Sequence, residues 1–284
     1  MYRSGLVLEG GGMKGIYTAG VLDFFMDKGL MFANIYGVSA GACHMCSYLS
    51  GQRGRALDIS IDYLDMDRYC SMENLILSGD VFNVDMCYHT IPDYLNPFDN
   101  ETFMKYEGRA YSVVTNLETG KAEYLRLRDM KEDIDKLRAS ASLPLAARIV
   151  RIDGKPYLDG GMSDSIPIQK AVLDGNRKNV VVMTKEVGFR RKPIDPAQLA
   201  LIKARYVKYP KVAELMENRH IAYNECLDYI ERLERKGQIF VIRPQRPSQV
   251  ERIERNKRKL RALYREGYAE AGERYDELMR YLEK

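Results

Sequence analysis

A chain of 284 residues is long enough to bury one large α/β core. Its 44 lysines and arginines against 40 aspartates and glutamates leave a net charge of +4, too mild a balance to argue for nucleic acid as a partner. No run of 18 apolar residues occurs and no basic stretch followed by an apolar one opens the chain, so the composition predicts a soluble protein, and the odd count of five cysteines predicts a reducing, cytoplasmic location.

The apolar run "LVLEG" at 6–10, stopped by glycines, reads as a buried strand feeding a turn. "GIYTAGVLDFFMDKGL" at 15–30 spaces Ile16, Ala19, Leu22, Phe25 and Met26 as a helix does, with Gly29 as its stop. "NIYGVS" reads as a second strand and "AGACHMCSYLSG" as a second helix that runs out at Gly51. Residues 52–105 mix polar, aromatic and proline positions and predict helices with a mobile connection, in which 88–106 is a candidate lid. "RAYSVVTNLETGKAEYLRL" at 109–127 is a hairpin around "ETGK", "MKEDIDKLRASASLPLA" a helix broken before Pro144, and "RIVRIDGKPYLDGG" a hairpin turning at Asp153-Gly154. A helix opened by Pro167, a buried strand "NVVVMTK" at 179–185, helical patterns over 197–236, a strand "GQIFVIRP" at 237–244 and a charged helix from 248 complete the chain. Alternating strands and helices predict one α/β domain with a helical C-terminal extension; the division falls into a catalytic domain, 1–190, and an extension, 191–284, packed on it.

Cys43 and Cys46 have the spacing of a zinc half-site but no second pair to complete it, and they read as small buried thiols. The chemistry lies instead in two glycine-rich turns. Gly10, Gly12 and Gly15 fit G-x-G-x-x-G between strand and helix, but no acidic residue ends the second strand to hold a ribose, and no Gly-Lys-Ser/Thr follows for a phosphate loop. Consecutive glycines at a helix start also present bare N–H groups, supported by the helix dipole, to a developing oxyanion. The second turn, Gly37-x-Ser39-x-Gly41, has the strand-to-helix context of a nucleophile elbow.

A serine needs a base. Of the three histidines, His44 should point off the catalytic end of its helix, His89 lies in the polar middle region, and His220 sits on a helix as a partly solvated residue. The order Ser39, Asp159, His220 suits a hydrolase triad, although such folds lay down several strands before the nucleophile. Asp159, at a strand end and followed by Gly160 and Gly161, gives a Ser-Asp dyad that uses every feature found.

Taken together, "LEGGGMKG", "GVSAG" and "LDGG" resemble the patatin-like phospholipase family, and "ASASLP" at 139–144 is similar to the family's block ahead of the aspartate. The resemblance covers residues 5–161 and fades near 185. It implies a three-layer α/β/α fold with a central, mostly parallel sheet, with Ser39 as nucleophile, Asp159 as base, Gly10, Gly11 and Gly12 as oxyanion donors, and Lys14, Gly15, Gly37, Gly41, Gly160 and Gly161 as supporting motif positions. Glu9 stands where many members have Asp. The implied activity is hydrolysis of (phospho)lipid acyl esters through an acyl-enzyme, with no metal or cofactor. A soluble carboxylesterase or thioesterase acting on short chains would use the same residues, and a non-catalytic acyl- or nucleotide-binding module would keep the glycine loop alone. Seven basic residues against one Asp in 190–211 mark that segment for peripheral contact with anionic membrane lipid. No nucleic-acid partner is expected, and oligomeric state has no sequence signal.

Overall fold

The computed structural model describes residues 1–283. Strand β1 (Tyr2–Leu8) runs through the glycines and a 3₁₀ turn over Gly12–Gly15 into helix α1 (Ile16–Asp27). Strand β2 (Phe32–Val38) leads directly into α2 (Ala40–Leu49). The stretch expected to hold a mobile connection folds into α3 (Arg55–Asp62), α4 (Met72–Ser78), a π-helical segment Met86–Leu95 and α5 (Asn100–Met104). Ser71 and Asp99 cap α4 and α5 by accepting N–H groups of their first turns.

Next come β3 (Arg109–Asn116), β4 (Ala122–Leu127), α6 (Met130–Ala141), β5 (Val150–Ile152) and β6 (Lys155–Asp159). Both hairpins form as their turns predict; Asp153 and Gly154 have φ of 50° and 79°, the left-handed pair that matches strand twist in a two-residue turn. A 3₁₀ turn over Gly160–Met162 precedes α7 (Ile168–Leu173) and β7 (Asn179–Val182). The remainder is α8 (Pro196–Arg205), α9 (Pro210–Arg235), β8 (Ile239–Ile242), α10 (Lys257–Glu273) and α11 (Tyr275–Glu283).

The strands form a single sheet in the order β5-β6-β3-β2-β1-β7-β8, with β4 on the other edge of β3. Pairs β2–β3, β1–β2, β1–β7 and β7–β8 are parallel; β3–β4, β3–β6 and β5–β6 are antiparallel. Alternate side chains of β1 serve opposite faces. Leu6 and Leu8 join the core beneath α1, α2 and α10, while Val7 joins the core built on α7 and α9, which gives three layers. Strand β8, from the C-terminal third, completes this same sheet.

Several boundaries differ from the sequence reading, among them that β1 begins at Tyr2, that β8 spans only Ile239–Ile242 and that the last helix is split into α10 and α11; two have a cause in the tertiary structure. The strand expected to reach 185 stops at Val182, because Thr184 turns inward to a buried carboxylate. The helix expected from 248 begins only at Lys257, capped by Asn256, because 250–254 are drawn onto the glycine turn: Arg252 O accepts the Met13 N–H at 3.0 Å and Glu254 N–H faces Met13 Sδ at 3.0 Å.

Candidate active site

Strand β3 brings Ser39 and Asp159 together. Strand β4 occupies one edge of β3 from Ala110 to Thr115, so the other edge is shared: β2 pairs along it as far as Val38↔Val113, and β6 arrives from the opposite end to pair Asp159↔Val114. The two strands meet nearly head-on, and the residue after Val38 is Ser39. The short step from Val113 to Val114 fixes a contact between positions 120 residues apart in sequence.

Ser39 has φ 54° and ψ −122°, a backbone that L-residues rarely adopt. Its N–H donates to Ser140 Oγ at 2.9 Å, and the Ser140 hydroxyl donates to Val113 O at 2.6 Å. Ser140 therefore pins the elbow to β3; it lies in the "ASASLP" block, whose role no local pattern discloses. The flanking glycines are required by close approach, since a Cβ on Gly37 would sit 2.6 Å from Ala42 Cα and one on Gly41 2.6 Å from Leu8 O. The serine is 6% exposed and lines a cavity.

Asp159 is 2% exposed. Its Oδ1 accepts the Gly161 N–H at 2.7 Å, and its backbone is fixed by Thr115 Oγ1 and by Ser142 O, each at 2.8 Å. Burial pushes the carboxyl pKa up, opposed by the Ser39 side chain, the Gly161 N–H and the charges of Arg219 and Arg252. The Ser39 side chain is thus close enough to stabilise the carboxylate, yet Oδ2 has no hydrogen-bond partner among the described residues. An unpartnered, buried carboxylate oxygen thus lies beside a serine of strained backbone.

In the glycine turn, the N–H groups of Gly10, Gly11 and Gly12 have no hydrogen-bond acceptor among the described residues, whereas those of Met13 and Lys14 are used by Arg252 O and Gly11 O. Gly12 has φ 58°, and a Cβ there would meet Arg252 O at 2.7 Å. Gly15 packs on Ala40, joining the two turns. Glu9 holds the turn from beneath: Oε2 accepts Thr184 N–H at 2.6 Å and lies 3.1 Å from Thr184 Oγ1, and Oε1 accepts the Tyr223 hydroxyl. Thr184 Oγ1 also reaches Gly10 O at 3.1 Å. Since Thr184 and Tyr223 lie far downstream, nothing in the sequence near Glu9 could have shown this bracket.

The cavity measures about 580 Å³ and is walled by apolar side chains including Ile16, Cys46, Tyr69, Phe98, Met130 and Leu137. Cys43 and Cys46 are free thiols in this wall, with the Cys43 thiol pushed up to about 12 by burial. His44, expected to point away from the catalytic end, lines the cavity with Ser39, its ring set beside Gly15 of the glycine turn. Burial lowers its pKa to about 4, and it makes no hydrogen bond to Ser39 among the described residues. His89 is at the cavity rim. His220 Nδ1 lies 3.1 Å from Glu217 O of its own helix, and the residue does not border the cavity. No three His, Cys, Asp or Glu side chains are gathered for a metal ion among the described residues, and no helix there is long and apolar enough to cross a membrane.

The profile of the family described as "Patatin-like phospholipase" matches residues 6–172, and that of a "Domain of unknown function (DUF6363)" matches residues 209–283. The uncharacterized protein YjjU of Escherichia coli (strain K12) is 26% identical over 258 residues, 86% of this chain and 69% of that protein. The probable lipid hydrolase 463L of invertebrate iridescent virus 6 is 25% identical over 195 residues, 63% of this chain and 66% of that protein. The crystal structure of VipD from Legionella pneumophila aligns with 99% of this chain and 66% of its own at 13% identity and a TM-score of 0.45, a likeness too distant to bear on chemistry.

Proposed function

Because this chain belongs to the patatin-like phospholipase family, we propose that it hydrolyses lipid acyl esters with Ser39 as nucleophile and Asp159 as the only protein base. The unpartnered Oδ2 of the buried Asp159 beside the strained Ser39 is the observation that carries this reading. As Ser39 Oγ attacks the ester carbonyl, its proton passes to Asp159, and the negative carbonyl oxygen is held by the free N–H groups of Gly10, Gly11 and Gly12. Collapse expels the alcohol, which takes the proton from Asp159 and leaves Ser39 acylated. Water then attacks the acyl-enzyme, giving its proton to Asp159, and the acid departs as Ser39 regains its hydrogen. The apolar cavity supports an acyl chain as the group bound beside the serine. We also divide the chain near 190 into a catalytic domain and an extension, a division supported by the change from alternating strands to long helices and softened by the seat of β8 in the catalytic sheet.

The test is a p-nitrophenyl ester series with a serine-reactive fluorophosphonate as label. Each buried methylene contributes about 0.8 kcal/mol, so kcat/KM should rise at least about tenfold from acetyl to hexanoyl. A maximum at acetyl would instead support a soluble carboxylesterase or thioesterase, and absence of labelling a non-catalytic binding module.

The basic segment 190–211 supports peripheral membrane contact only in part. Arg190 pairs with Asp228 and Glu231, Lys203 with Glu217 and Lys211 with Glu214. With Arg191 turned onto Tyr223, that leaves Lys192, Arg205 and Lys208 with the exposed Leu201 (62%) and Val207 (74%) as the face for an anionic membrane. Changing those three cations to Gln should weaken binding to vesicles containing anionic lipid by about fivefold for each charge, with the effect fading at high salt. Unchanged binding would assign them to an ordinary solvated surface.

A further inference from the structure

Five cations ring the solvent side of the glycine turn and Asp159: Lys14, Lys185, Arg191, Arg219 and Arg252. None forms an ion pair among the described residues, whereas Arg190, beside Arg191 in the sequence, and Lys211, at the start of α9, do. Arg219 reaches in from α9, donating Nε–H to Gly161 O at 2.5 Å and lying 3.4 Å from Ser165 Oγ, so its guanidinium borders the residue after Asp159-Gly160. Arg252 sits on the other side, its carbonyl bound to Met13 N–H and its side chain against Gly12 and the cavity that Ser39 lines. Arg191 lies flat on Tyr223, 4.3 Å from the ring centre, with a buried Nε that has no acceptor. Lys185 lies over Phe189 at 5.0 Å.

The carboxylates within this ring are Glu9 and Asp159. Both oxygens of Glu9 are already engaged by Thr184 and Tyr223, and Asp159 faces Ser39. These half-buried or exposed cations repel one another, Glu9 and Asp159 offset only part of that repulsion, and an anion bound among them relieves the rest. The crowding shows in the cations themselves: burial and then the charge of Lys14 push the Lys185 ammonium down to about 8 against the pull of Glu9, and burial and then Arg191 and Arg252 push Arg219 down to about 10 against the pull of Asp159.

We propose that the C-terminal region, with Lys185 of the catalytic domain, supplies an anion site beside the serine, in which Arg191, Arg219, Arg252 and Lys185 hold a phosphate group on the polar side of Ser39 while the acyl chain occupies the apolar cavity. This rests on the hydrolase reading above and assigns a task to the extension: it selects acyl esters that carry a phosphate. Arg219 joins α9 to the Asp159 turn and Arg252 joins the 250–254 segment to the glycine turn, so both are tied to the site by backbone contacts as well as charge. Guanidinium groups suit this work because they present several donors in a plane to phosphate oxygens.

The experiment uses the full-length Ser39→Ala protein, which binds without turnover, so that its failure leaves the hydrolase reading standing. Calorimetric titration should find dihexanoyl phosphatidate bound at least about tenfold more tightly than dihexanoyl glycerol, with Lys185→Gln, Arg191→Gln and Arg252→Gln each removing about tenfold of that preference and Arg252→Lys keeping most of it. Inorganic phosphate that competes with phosphatidate shows the site seats free phosphate as well; phosphate that does not compete shows that the headgroup is held only with its acyl chains. Equal affinity for the phosphatidate and the glyceride, or a preference that survives all three substitutions in proteins with wild-type thermal unfolding, overturns the proposal.

Discussion

Ser39→Ala should lower kcat for every ester substrate by roughly four to six orders of magnitude and abolish fluorophosphonate labelling. The loss belongs to the chemical step, because removing one oxygen leaves the elbow bonds from Ser39 N–H to Ser140 and the cavity walls in place. Alanine inherits the φ of 54°, which is costly for any residue with a Cβ, so Ser39→Gly should be more stable than Ser39→Ala by about 1 kcal/mol in denaturant melts while being equally inactive. His220→Ala, remote from the cavity, should keep activity within about twofold of wild type. Residual activity above one per cent in Ser39→Ala would show that another group attacks, and a dead but folded His220→Ala would replace the dyad with a triad.

Asp159→Asn should cost roughly three orders of magnitude or more in kcat and at the same time stabilise the protein at neutral pH. Both effects follow from the buried carboxyl, whose pKa in the folded chain is raised above its unfolded value. The folded state then binds the proton more tightly than the unfolded state, so stability falls as pH rises from the ordinary carboxylate value to the raised one and stays reduced above it. Asparagine removes that dependence: the gain over wild type should vanish in acid and level off once the raised pKa is passed. Activity runs the other way, since only the ionised carboxylate accepts the serine proton; kcat/KM of the wild type should fall as pH drops through the raised value. Urea melts and kcat/KM measured on one pH series check both curves. A destabilised Asp159→Asn at pH 7 would mean that the carboxylate is held by favourable charge rather than strained by burial.

Local patterns in the sequence were sufficient to read most strands and helices, both hairpin turns and the two glycine-rich turns, because period, glycine and turn chemistry act over a few residues. They also marked Ser39 and Asp159 as the residues to watch; the block containing Ser140 stood out only by its resemblance to the family's. What they cannot carry is juxtaposition. The meeting of Ser39 and Asp159 depends on two strands sharing one edge of β3, a matter of register across more than a hundred residues. The bracket of Glu9 by Thr184 and Tyr223, the capture of 250–254 by the glycine turn and the presence of His44 in the cavity wall arise from packing between distant segments. The ring of cations is the clearest case: its members are scattered from 14 to 252, and nothing in the sequence joins them. Sequence determined the local conformations and the reactive groups available to this protein, and tertiary structure decided which of them face one another, because burial and electrostatic coupling act through space.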